Sequence, residues 1–350
     1  MMHSALFVGI LSHGTTSESQ AKWLERLTPE HHWDKVDTDT VFLQQPRISR
    51  SLAFRLRIGP AVQAVNRLVL EQIANPKPYD LIWINKGVLL WPDTVQKLRD
   101  RAKHFIYYTP DTAFHQNKSR FFNRTLHLYD LLVTTKSFEM QEYQRRVAAN
   151  KLYLTTQGYD PDFHFPTYTA PKDMAAVLIG LCEPHRVQCV DALRAAQIKV
   201  RIGGKGWEKT IKKYSNDPDF EFLGTQVFGD AYSKAIGRSS FGLGLLSKKF
   251  PELHTTRTLE IPACGTVLAT EKTSETASFF QADEALFFRD FSELAEKIRQ
   301  LIQTPEQLAL LTKKCCSAVQ RQPFAYPQIL ANILAAAGIV TKLPTTPFLS

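Results

Sequence analysis

The amino-acid sequence predicts an α/β protein built from two open, parallel-sheet domains. Short apolar runs rich in β-branched and aromatic residues alternate with segments of helical period, which is the pattern of parallel α/β layers. This rhythm occurs twice along the 350 residues. A chain of this length commonly forms two domains, and each half is long enough to bury a core of its own.

The first half contains the first set of alternating elements. Its helical segments are expected at Ser19–Leu27 and Gly59–Asn75. The initial apolar run is short and has no basic run before it, so it fits a buried strand better than a signal peptide or a membrane span. The expected strands are Ala5–Leu11, Asp80–Asn85, Phe105–Tyr108, Leu131–Thr134 and Leu152–Thr155.

The second half repeats the alternation of strands and helices. Its helical segments are expected near His185–Ala196, Thr256–Ala263 and Ser292–Thr304. Two sheets of similar construction follow from this repetition. The expected strands are Ala176–Leu181, Val200–Gly203, Phe220–Leu223, Phe241–Leu245 and Thr266–Ala269.

A proline-containing linker is expected between the two halves. The stretch Gly158–Asp173, "GYDPDFHFPTYTAPKD", has three prolines and no periodicity. We place the boundary near residue 166, so that the domains cover residues 1–165 and 166–320. Residues 321–350 are expected to form a helix at Pro327–Ala337 that returns to the first domain, followed by a tail.

Composition and charge limit the classes of function. With 44% hydrophobic and 22% charged residues, the chain is typical of an ordinary globular protein. Its five cysteines form no CxxC pair, and we interpret them as free thiols in a reducing, cytoplasmic compartment. The net charge of +9 is shared almost evenly by the two halves, whereas a nucleic-acid binder usually gathers its charge into a stripe or arm. A small phosphorylated ligand or an acidic surface is therefore favoured over nucleic acid.

The stretch Phe250–Glu271, "FPELHTTRTLEIPACGTVLATE", places a charged cluster at the start of an apolar helix. It follows a predicted strand, and in open α/β sheets ligands bind beyond the carboxyl ends of the strands. A helix N-terminus there offers unpaired N–H groups and a partial positive charge to a phosphate. Lys248 before the helix would add a full positive charge. The binding candidates at the helix start are His254, Thr255, Thr256 and Arg257.

Glu260 lies one turn inside the same helix, at i+4 from Thr256. From that position a carboxylate would reach the two hydroxyls of a ribose. The plainer alternative is a capped helix with a solvated charged face, in which Glu260 pairs with Arg257.

Two further loops end at the same predicted sheet edge. "VLIGLCEPHR" places Arg186 just inside a helix, and "VRIGGKGW" is a strand followed by Gly204, Lys205 and Trp207. Glycine lets the backbone approach a ligand closely, and Trp207 would stack on or wall a base. The loop matches neither GxGxxG nor a P-loop, so a simple tight turn stays an alternative.

The first domain has its own candidates at strand ends. "SHGTTSES" follows the first strand and suits an anion or sugar hydroxyls, through His13, Gly14 and Thr15. Asp111 ends a strand in "YYTPDTAFH", where it would either face a cleft between the domains or cap the next segment. Lys86 in "INKG" has a comparable position.

Metal chemistry has no support in the sequence. No HxxxH or HExxH spacing occurs. The triplet Asp37-Thr38-Asp39 is similar to a metal-binding DxD, but no buried strand is predicted before it, so we interpret it as a solvated loop. Neither a metal ion nor another cofactor is expected.

Several of these strings together resemble one known family. "HTTRTLEIPACGTVLATEKTSE", "VLIGLCEPHR…VRIGGKGW" and "YYTPDTAFH…YDLLVTTKS…GYDPDFHFP" are similar to the CgeB-like glycosyltransferases. This group is related to the retaining GT-B glycosyltransferases that carry an E-x7-E motif. The resemblance covers Tyr79–Thr304, and His254–Gly265 is its most specific part. It implies two facing Rossmann-like domains, with a nucleotide-sugar donor on the second and an acceptor on the first.

The resemblance also implies roles for individual residues. Glu252 and Glu260 stand at the E-x7-E spacing, so Glu260 would hold the donor ribose and Glu252 the sugar or its transferring centre. Many sequences of the group carry Asp where Glu252 stands. The acceptor-side candidates are Gly14, Thr15 and Lys86.

The implied reaction is a metal-independent, retaining hexosyl transfer by front-face attack. The nucleoside diphosphate sugar is a substrate, and the leaving diphosphate would be stabilised by nearby cations. No dedicated base is required, because the diphosphate oxygen helps to take the acceptor proton. If the enzyme inverts instead, Asp111 or His13 is the base to test. The cations available are Lys248, Arg257, Arg186 and Lys205.

Other classes of function stay open at this point. The acceptor would be a protein, a polysaccharide, a lipid or a small metabolite. A non-catalytic module that binds sugar nucleotides or glycans would share the fold and the site but show no turnover. A basic protein of nucleic-acid or membrane surfaces would use the charge of +9 instead.

Overall fold

The chain folds into two compact units. A computed structural model describes residues 3–115, 117–166 and 171–342. The first unit joins the residues up to Thr156 to those from Tyr326 onward, and the second holds Gln157–Ala325. The sequence placed the boundary near residue 166, so the structure assigns the beginning of the proline-containing stretch to the second unit.

The first unit is built on a six-stranded parallel sheet with the order β2-β1-β3-β4-β5-β6. Its strands are β1 (His3–Gly9), β2 (His31–Asp37), β3 (Tyr79–Asn85), β4 (Ala102–Thr109), β5 (Leu131–Thr134) and β6 (Leu152–Leu154). Its helices before the boundary are α1 (Thr16–Leu27), α2 (Thr38–Leu43), α3 (Arg47–Leu56), α4 (Pro60–Gln72), α5 (Pro92–Arg99), α6 (Arg120–Thr125) and α7 (Met140–Gln144).

The second unit repeats this design with a sheet of order β12-β11-β10-β7-β8-β9, also parallel. Its strands are β7 (Asp173–Ile179), β8 (Lys199–Gly203), β9 (Phe220–Phe222), β10 (Ser239–Leu243), β11 (Val267–Glu271) and β12 (Leu286–Phe288). Its helices are α8 (Pro184–Ala195), α9 (Glu208–Lys213), α10 (Gly229–Gly237), α11 (Thr256–Ala263), α12 (Ser274–Phe279), α13 (Phe291–Gln303) and α14 (Pro305–Gln320).

The last described helix, α15 (Tyr326–Ala336), belongs to the first unit and packs against α1. Its apolar side chains Ile329, Leu330 and Ile333 are buried in the same core as Trp83. The chain therefore passes from one unit to the other twice. The tail predicted beyond residue 342 lies outside the described residues.

The predicted α/β class with two open parallel sheets is confirmed. Central strands match because continuous burial of both faces makes them apolar, as in Leu131–Thr134. Two edge strands were missed. In β2 only Trp33 and Val36 are buried, so it produces no clear apolar run, whereas β12 is a short apolar run that the sequence interpretation overlooked.

The triplet Asp37-Thr38-Asp39 is not the solvated loop that the sequence suggested. Asp37 ends β2, and its side chain accepts hydrogen bonds from the backbone N–H groups of Leu11 and Asp39, both at 3.0 Å. It is the N-cap of α2. The preceding strand was overlooked because only two of its seven residues are buried and most of the others are polar.

All five cysteines are free thiols. In the described ranges, no helix combines the length and the apolar character that crossing a membrane requires.

Candidate functional site

The second sheet has a topological switch point between β7 and β10. The strand order runs outward from this pair in both directions, and ligands of open α/β sheets bind at such points. The loop after β7 leads into α8, the loop after β10 leads into α11, and the loop after β8 leads into α9. Most of the residues selected from the sequence lie on these three loops or in the helices that follow them.

The loops after β7 and β8 are tied together by their backbones. Gly180 donates to the carbonyl of Gly203 at 2.8 Å, and Cys182 donates to that of Lys205 at 2.9 Å. Gly204 has a φ of +120°, and a Cβ on it would lie 2.2 Å from the Gly180 oxygen. Only glycine fits there. The glycines of this loop therefore permit a close approach between two loops, and Lys205 is left exposed.

The sequence suggested that Trp207 would stack on or wall a base, but the structure does not place the ring at a ligand site. It is fully buried in the core beside the sheet, and its indole N–H donates to the Gly180 carbonyl at 2.9 Å. The ring is turned inward because both its face and its N–H find partners there. Trp207 therefore stabilises the glycine-containing loop after β7 from the protein interior.

Arg186 is buried and bridges the switch point. Its Nη1 donates to the carbonyl of Leu181 after β7 at 2.9 Å, and its Nη2 to that of Leu245 after β10 at 3.1 Å. Burial, and then the charge of Arg257, lower the pKa of its guanidinium. The sequence predicted a phosphate contact, and the structure shows that Arg186 holds two strand-end loops together.

Arg257 lies in the first turn of α11, close to Arg186. A Cβ at Gly180 would be 3.0 Å from Arg186 Nη1 and 3.8 Å from Arg257 Cζ, so both guanidinium groups border this glycine. Arg257 is half-buried and makes no hydrogen bond or ion pair with the residues that the structure describes. Among the described residues, it is therefore a cation with no ion-pair partner at a helix N-terminus.

The start of α11 is capped locally. Thr255 has the extended conformation of an N-cap residue, and its N–H donates to Thr258 Oγ1 at 3.1 Å. Thr256 is half-buried in the first turn. The cap fixes the helix start, while the helix N-terminus still carries a partial positive charge.

Glu260 is buried and does not pair with Arg257. Its Oε2 accepts a hydrogen bond from the Tyr232 hydroxyl at 2.8 Å, and its Oε1 lies 4.0 Å from His164 Nε2. Burial and the charge of Glu260 raise the pKa of Tyr232 well above its usual value, so the phenol stays a donor. The alternative of a solvated Glu260–Arg257 pair is wrong.

His254 has both ring nitrogens engaged by protein groups. Its Nε2 accepts from the backbone N–H of Gln157 at 2.9 Å, and its Nδ1 donates to the carboxylate of Glu275. The ring is buried and packs edge-on against Phe279. His254 therefore anchors the segment before α11, and the structure leaves no ring nitrogen for a ligand.

Glu252 and Lys248 lie on the loop after β10, where both side chains form hydrogen bonds with neighbouring groups. Glu252 accepts from the backbone N–H of Ser247 at 3.3 Å, and the Ser247 hydroxyl donates to Glu183 at 3.1 Å. Lys248 is exposed and donates to Glu271 at 2.9 Å. The positive charge predicted for this loop is thus partly neutralised.

Sequence reasoning missed the partner residues of this site. Glu271 ends a strand, and Glu183 and Glu275 lie at helix starts, so their positions at the carboxyl edge were a usable signal. Tyr232 and His164 carried no such signal, because nothing in the sequence indicates that α10 and the segment after residue 157 approach Glu260.

The candidates of the first unit lie after β1, β3 and β4. Gly14 donates to Glu18 at 2.8 Å, and Thr15 is the N-cap of α1. His13 is exposed, with Nδ1 3.6 Å from the same carboxylate. This loop is therefore organised by Glu18, which the sequence reasoning did not single out.

Lys86 and Asp111 form an ion pair of 2.8 Å at neighbouring strand ends. Lys86 has a φ of +66°, and its N–H donates to Tyr108. The loop beyond Asp111 is held by the buried Glu139, which accepts from the N–H groups of Ala113 and Phe114 at 2.7 and 2.9 Å. Asp111 is paired with Lys86 through its side chain, a partner that neither sequence alternative included.

In the described ranges, no group of three or more His, Cys, Asp or Glu side chains has an arrangement that would hold a metal ion.

Comparison with known proteins assigns the fold. Residues 186–335, less than half of the chain, match the family described as glycosyl transferase-like. No curated protein sequence matches the chain. The match does not distinguish the CgeB-like group within the wider family.

Solved structures cover nearly the whole chain. Sucrose-phosphate synthase from Thermosynechococcus elongatus is 15% identical, with a TM-score of 0.67 over 95% of this chain and 98% of that one. Anabaena HepE in complex with UDP-glucose is 14% identical, with a TM-score of 0.61 over 95% and 99%. A glycosyltransferase from Rickettsia africae is 11% identical, with a TM-score of 0.62 over 96% and 97%. The chain therefore has the fold of the GT-B glycosyltransferases, and its residues 186–335 match the glycosyl transferase-like family.

Proposed function

We propose that this protein is a glycosyltransferase that moves a sugar from a nucleoside diphosphate sugar to a hydroxyl of an acceptor. The family match over residues 186–335 supports transfer of a glycosyl group. The similar HepE structures contain UDP-glucose, or UDP and glucose, which supports a uridine nucleotide and a hexose as the first donor to test.

The observation that carries this proposal is Arg257 at the start of α11. Its guanidinium forms no ion pair with the described residues, borders Gly180 at the switch point, and stands at a helix N-terminus. A diphosphate would neutralise this charge and accept hydrogen bonds from the free N–H groups of the first turn. Lys205, exposed on the neighbouring loop, is a second phosphate contact in this proposal.

Glu260 is suited to hold the donor ribose. The Tyr232 hydroxyl donates a hydrogen bond to one carboxylate oxygen and so orients the carboxylate. Among the described residues, the other oxygen has only His164 as a partner, at 4.0 Å. A ribose with two adjacent hydroxyls would donate to that oxygen. Its position one turn inside α11 places it beside the helix start that we assign to the diphosphate.

We propose further that transfer proceeds without a metal ion and with retention. The bond between the sugar C1 and the diphosphate oxygen breaks, the acceptor oxygen bonds to C1 on the same face, and its proton passes to the leaving diphosphate. Arg257 and the α11 N-terminus stabilise the charge that develops on the leaving group. Glu252, held by the Ser247 N–H, lies on the loop before α11, where it would contact the sugar.

The test separates nucleotide binding from chemistry. Calorimetry with UDP, GDP and ADP should identify one nucleoside diphosphate that binds, and Arg257→Ala should weaken its binding by about tenfold or more, because a charge-assisted contact contributes about 1.5–3 kcal/mol. Glu260→Gln should weaken it too. Glu252→Gln should lower turnover of the matching sugar nucleotide more than it changes nucleotide affinity.

The matched controls are Arg289→Ala and Glu306→Gln. Each removes an exposed charge, the first just before α13 and the second within α14. Both should bind and react like the unmodified chain. If Arg257→Ala binds every nucleoside diphosphate as the unmodified chain does, the assignment of the diphosphate to α11 is wrong. Tight binding of a sugar nucleotide without hydrolysis or transfer would instead identify a non-catalytic module.

A further inference from the structure

The segment 43–58 of the first unit concentrates exposed apolar side chains. Elsewhere in the described residues, strongly exposed large apolar side chains occur singly along the chain. Single exposed apolar residues are ordinary, whereas a cluster marks a binding surface. Its exposed members are Leu43, Ile48, Leu52, Phe54, Leu56 and Ile58.

The helix α3 within this segment exposes its large apolar side chains, which is the opposite of an ordinary surface helix. Its buried side consists of the small residues Ser49 and Ala53. Ile48, Leu52 and Leu56 recur at i, i+4 and i+8, which places them in one row on the outer side, and Ile48 is 76% exposed. A surface helix normally buries its apolar row and exposes its polar one.

This orientation is fixed by the fold. Arg57, buried at the C-cap with a φ of +59°, donates through Nη1 to the carbonyl of Phe54 at 2.5 Å. Its Nη2 donates to the carbonyls of Asn117 and Lys118 at 3.3 and 3.2 Å. At the other end, the Ser49 hydroxyl accepts from the N–H of Ala61 at 3.1 Å. The apolar row therefore faces outward in a helix that is held at both ends.

The charged side chains of the sequence segment that contains this row are all basic. Residues 40–70 contain no Asp or Glu. Arg47 and Arg55, both exposed, lie with Ser51 in the row next to Ile48, Leu52 and Leu56. The arginines of this range are Arg47, Arg50, Arg55, Arg57 and Arg67.

We propose that α3 docks the protein on an anionic lipid surface. Ile48, Leu52 and Leu56 enter the boundary between head groups and acyl chains, and Arg47 and Arg55 pair with lipid phosphates. Long arginine side chains reach head groups while their stems cover apolar surface. An apolar row flanked by arginines is the composition of helices that lie in a membrane interface.

Charge complementarity separates this partner from the alternatives. A second copy of the chain would bring arginine rows of equal sign together, which opposes a symmetric pair. Nucleic acid would pair with the arginines, but it would leave an aliphatic row with no partner in its grooves. A lipid surface satisfies both rows at once.

The experiment is co-sedimentation of the full chain with vesicles of phosphatidylcholine alone, or of phosphatidylcholine with phosphatidylglycerol, at low and high salt. The unmodified chain should bind only the anionic vesicles, and less at high salt. Ile48→Ser with Leu56→Ser should lower the partition coefficient by about tenfold or more. Arg47→Gln with Arg55→Gln should lower it by a similar factor.

Matched controls remove the same groups elsewhere. Leu56 and Leu310 are 55% and 54% exposed, so Leu310→Ser deletes an equally exposed leucine. Arg289→Gln with Arg299→Gln removes the same charge from the second unit. Both controls should sediment like the unmodified chain, and all variants should keep its melting temperature because the changed side chains are exposed.

Absence of binding to anionic vesicles, equal binding to neutral ones, or an equal loss in the controls would each overturn the proposal. Light scattering tests the second copy: a dimer that dissociates in the Ile48→Ser, Leu56→Ser variant would assign the row to self-association. Retention of duplex DNA or RNA without retention of anionic vesicles would likewise overturn it. None of these readouts depends on sugar transfer.

Discussion

At the strand-end edges of the two units, the polar side chains His254 and Arg186 are held differently from Lys86, Asp111 and His13. In the second unit, His254 and Arg186 are buried, and both ring nitrogens of His254 and both Nη atoms of Arg186 bind backbone groups or a carboxylate. In the first unit, Lys86 and Asp111 pair with each other in partial contact with solvent, and His13 is exposed. A site held by buried partners presents one arrangement to every ligand, whereas exposed side chains can adjust. In the function proposed above, this contrast would correspond to a constant nucleotide on the second unit and a variable partner for the first.

The largest effect on the free energy of unfolding is expected at Gly204, where the loops after β7 and β8 are in contact. Gly204→Ala should lower the free energy of unfolding of the second unit by about 3 kcal/mol or more, because its Cβ would overlap the Gly180 carbonyl. Gly224→Ala is the matched control, since Gly224 has a similar φ of +112° and open space around it. Backbone strain alone should cost the control about 1–2 kcal/mol. Equal losses in urea unfolding would show that the contact between the loops is unimportant.

A smaller effect is expected from the buried histidine. His254→Ala removes the hydrogen bonds from the ring to Glu275 and from the Gln157 N–H to the ring, which should cost about 2–4 kcal/mol. His13→Ala, the exposed counterpart in the first unit, should leave the unfolding transition unchanged. Urea unfolding of both variants measures the difference. A His254→Ala variant as stable as the His13→Ala variant would remove the contrast between the two edges.

The smallest effect is expected from the exposed pair of the first unit. In a double-mutant cycle with Lys86→Gln and Asp111→Asn, the coupling energy should be below about 1 kcal/mol, because solvent screens the two charges. The cycle is measured by urea unfolding with no ligand present. A coupling well above this value would mean that the first-unit edge is as firmly held as the second.

Much of the fold was predictable because apolar periodicity reports burial. The helix Thr256–Ala263 begins and ends where the sequence placed it, and central strands shifted by few residues. The strand β2 was not predictable by the same signal, because only Trp33 and Val36 are buried in it, whereas the short apolar run of β12 was overlooked. Fold class depends on the central strands, so this omission did not change it.

The site was predictable only as far as its loops. The sequence identified the strand ends and the start of α11, but not which charges meet there. Lys248 and Glu271 are 23 residues apart, His254 and Glu275 are 21 apart, and Tyr232 and Glu260 are 28 apart. Such pairs depend on how helices pack on the sheet. Trp207 shows the same limit, because a side chain after a loop can turn toward the ligand or toward the core.

The basic segment 40–70 was present in the sequence as a range without a single acidic residue. Counting charge by halves concealed it, because acidic residues elsewhere in the first half balance the total. Its importance became apparent only when the structure showed that the apolar row of α3 faces outward. Net charge by itself does not reveal a local surface of this kind.

The position of α15 has a consequence for synthesis on the ribosome. Tyr326, Ile329, Leu330 and Leu334 fill the core that also contains Phe7 and Trp83, yet they are translated after the whole of the second unit. Nascent proteins usually complete their N-terminal domain first. In this chain, part of the core of the first unit stays uncovered until α15 is translated, although every residue of the second unit has by then been synthesised. A nascent chain arrested just before Tyr326 should therefore be cleaved by protease in residues 3–156 and resist cleavage in residues 171–325.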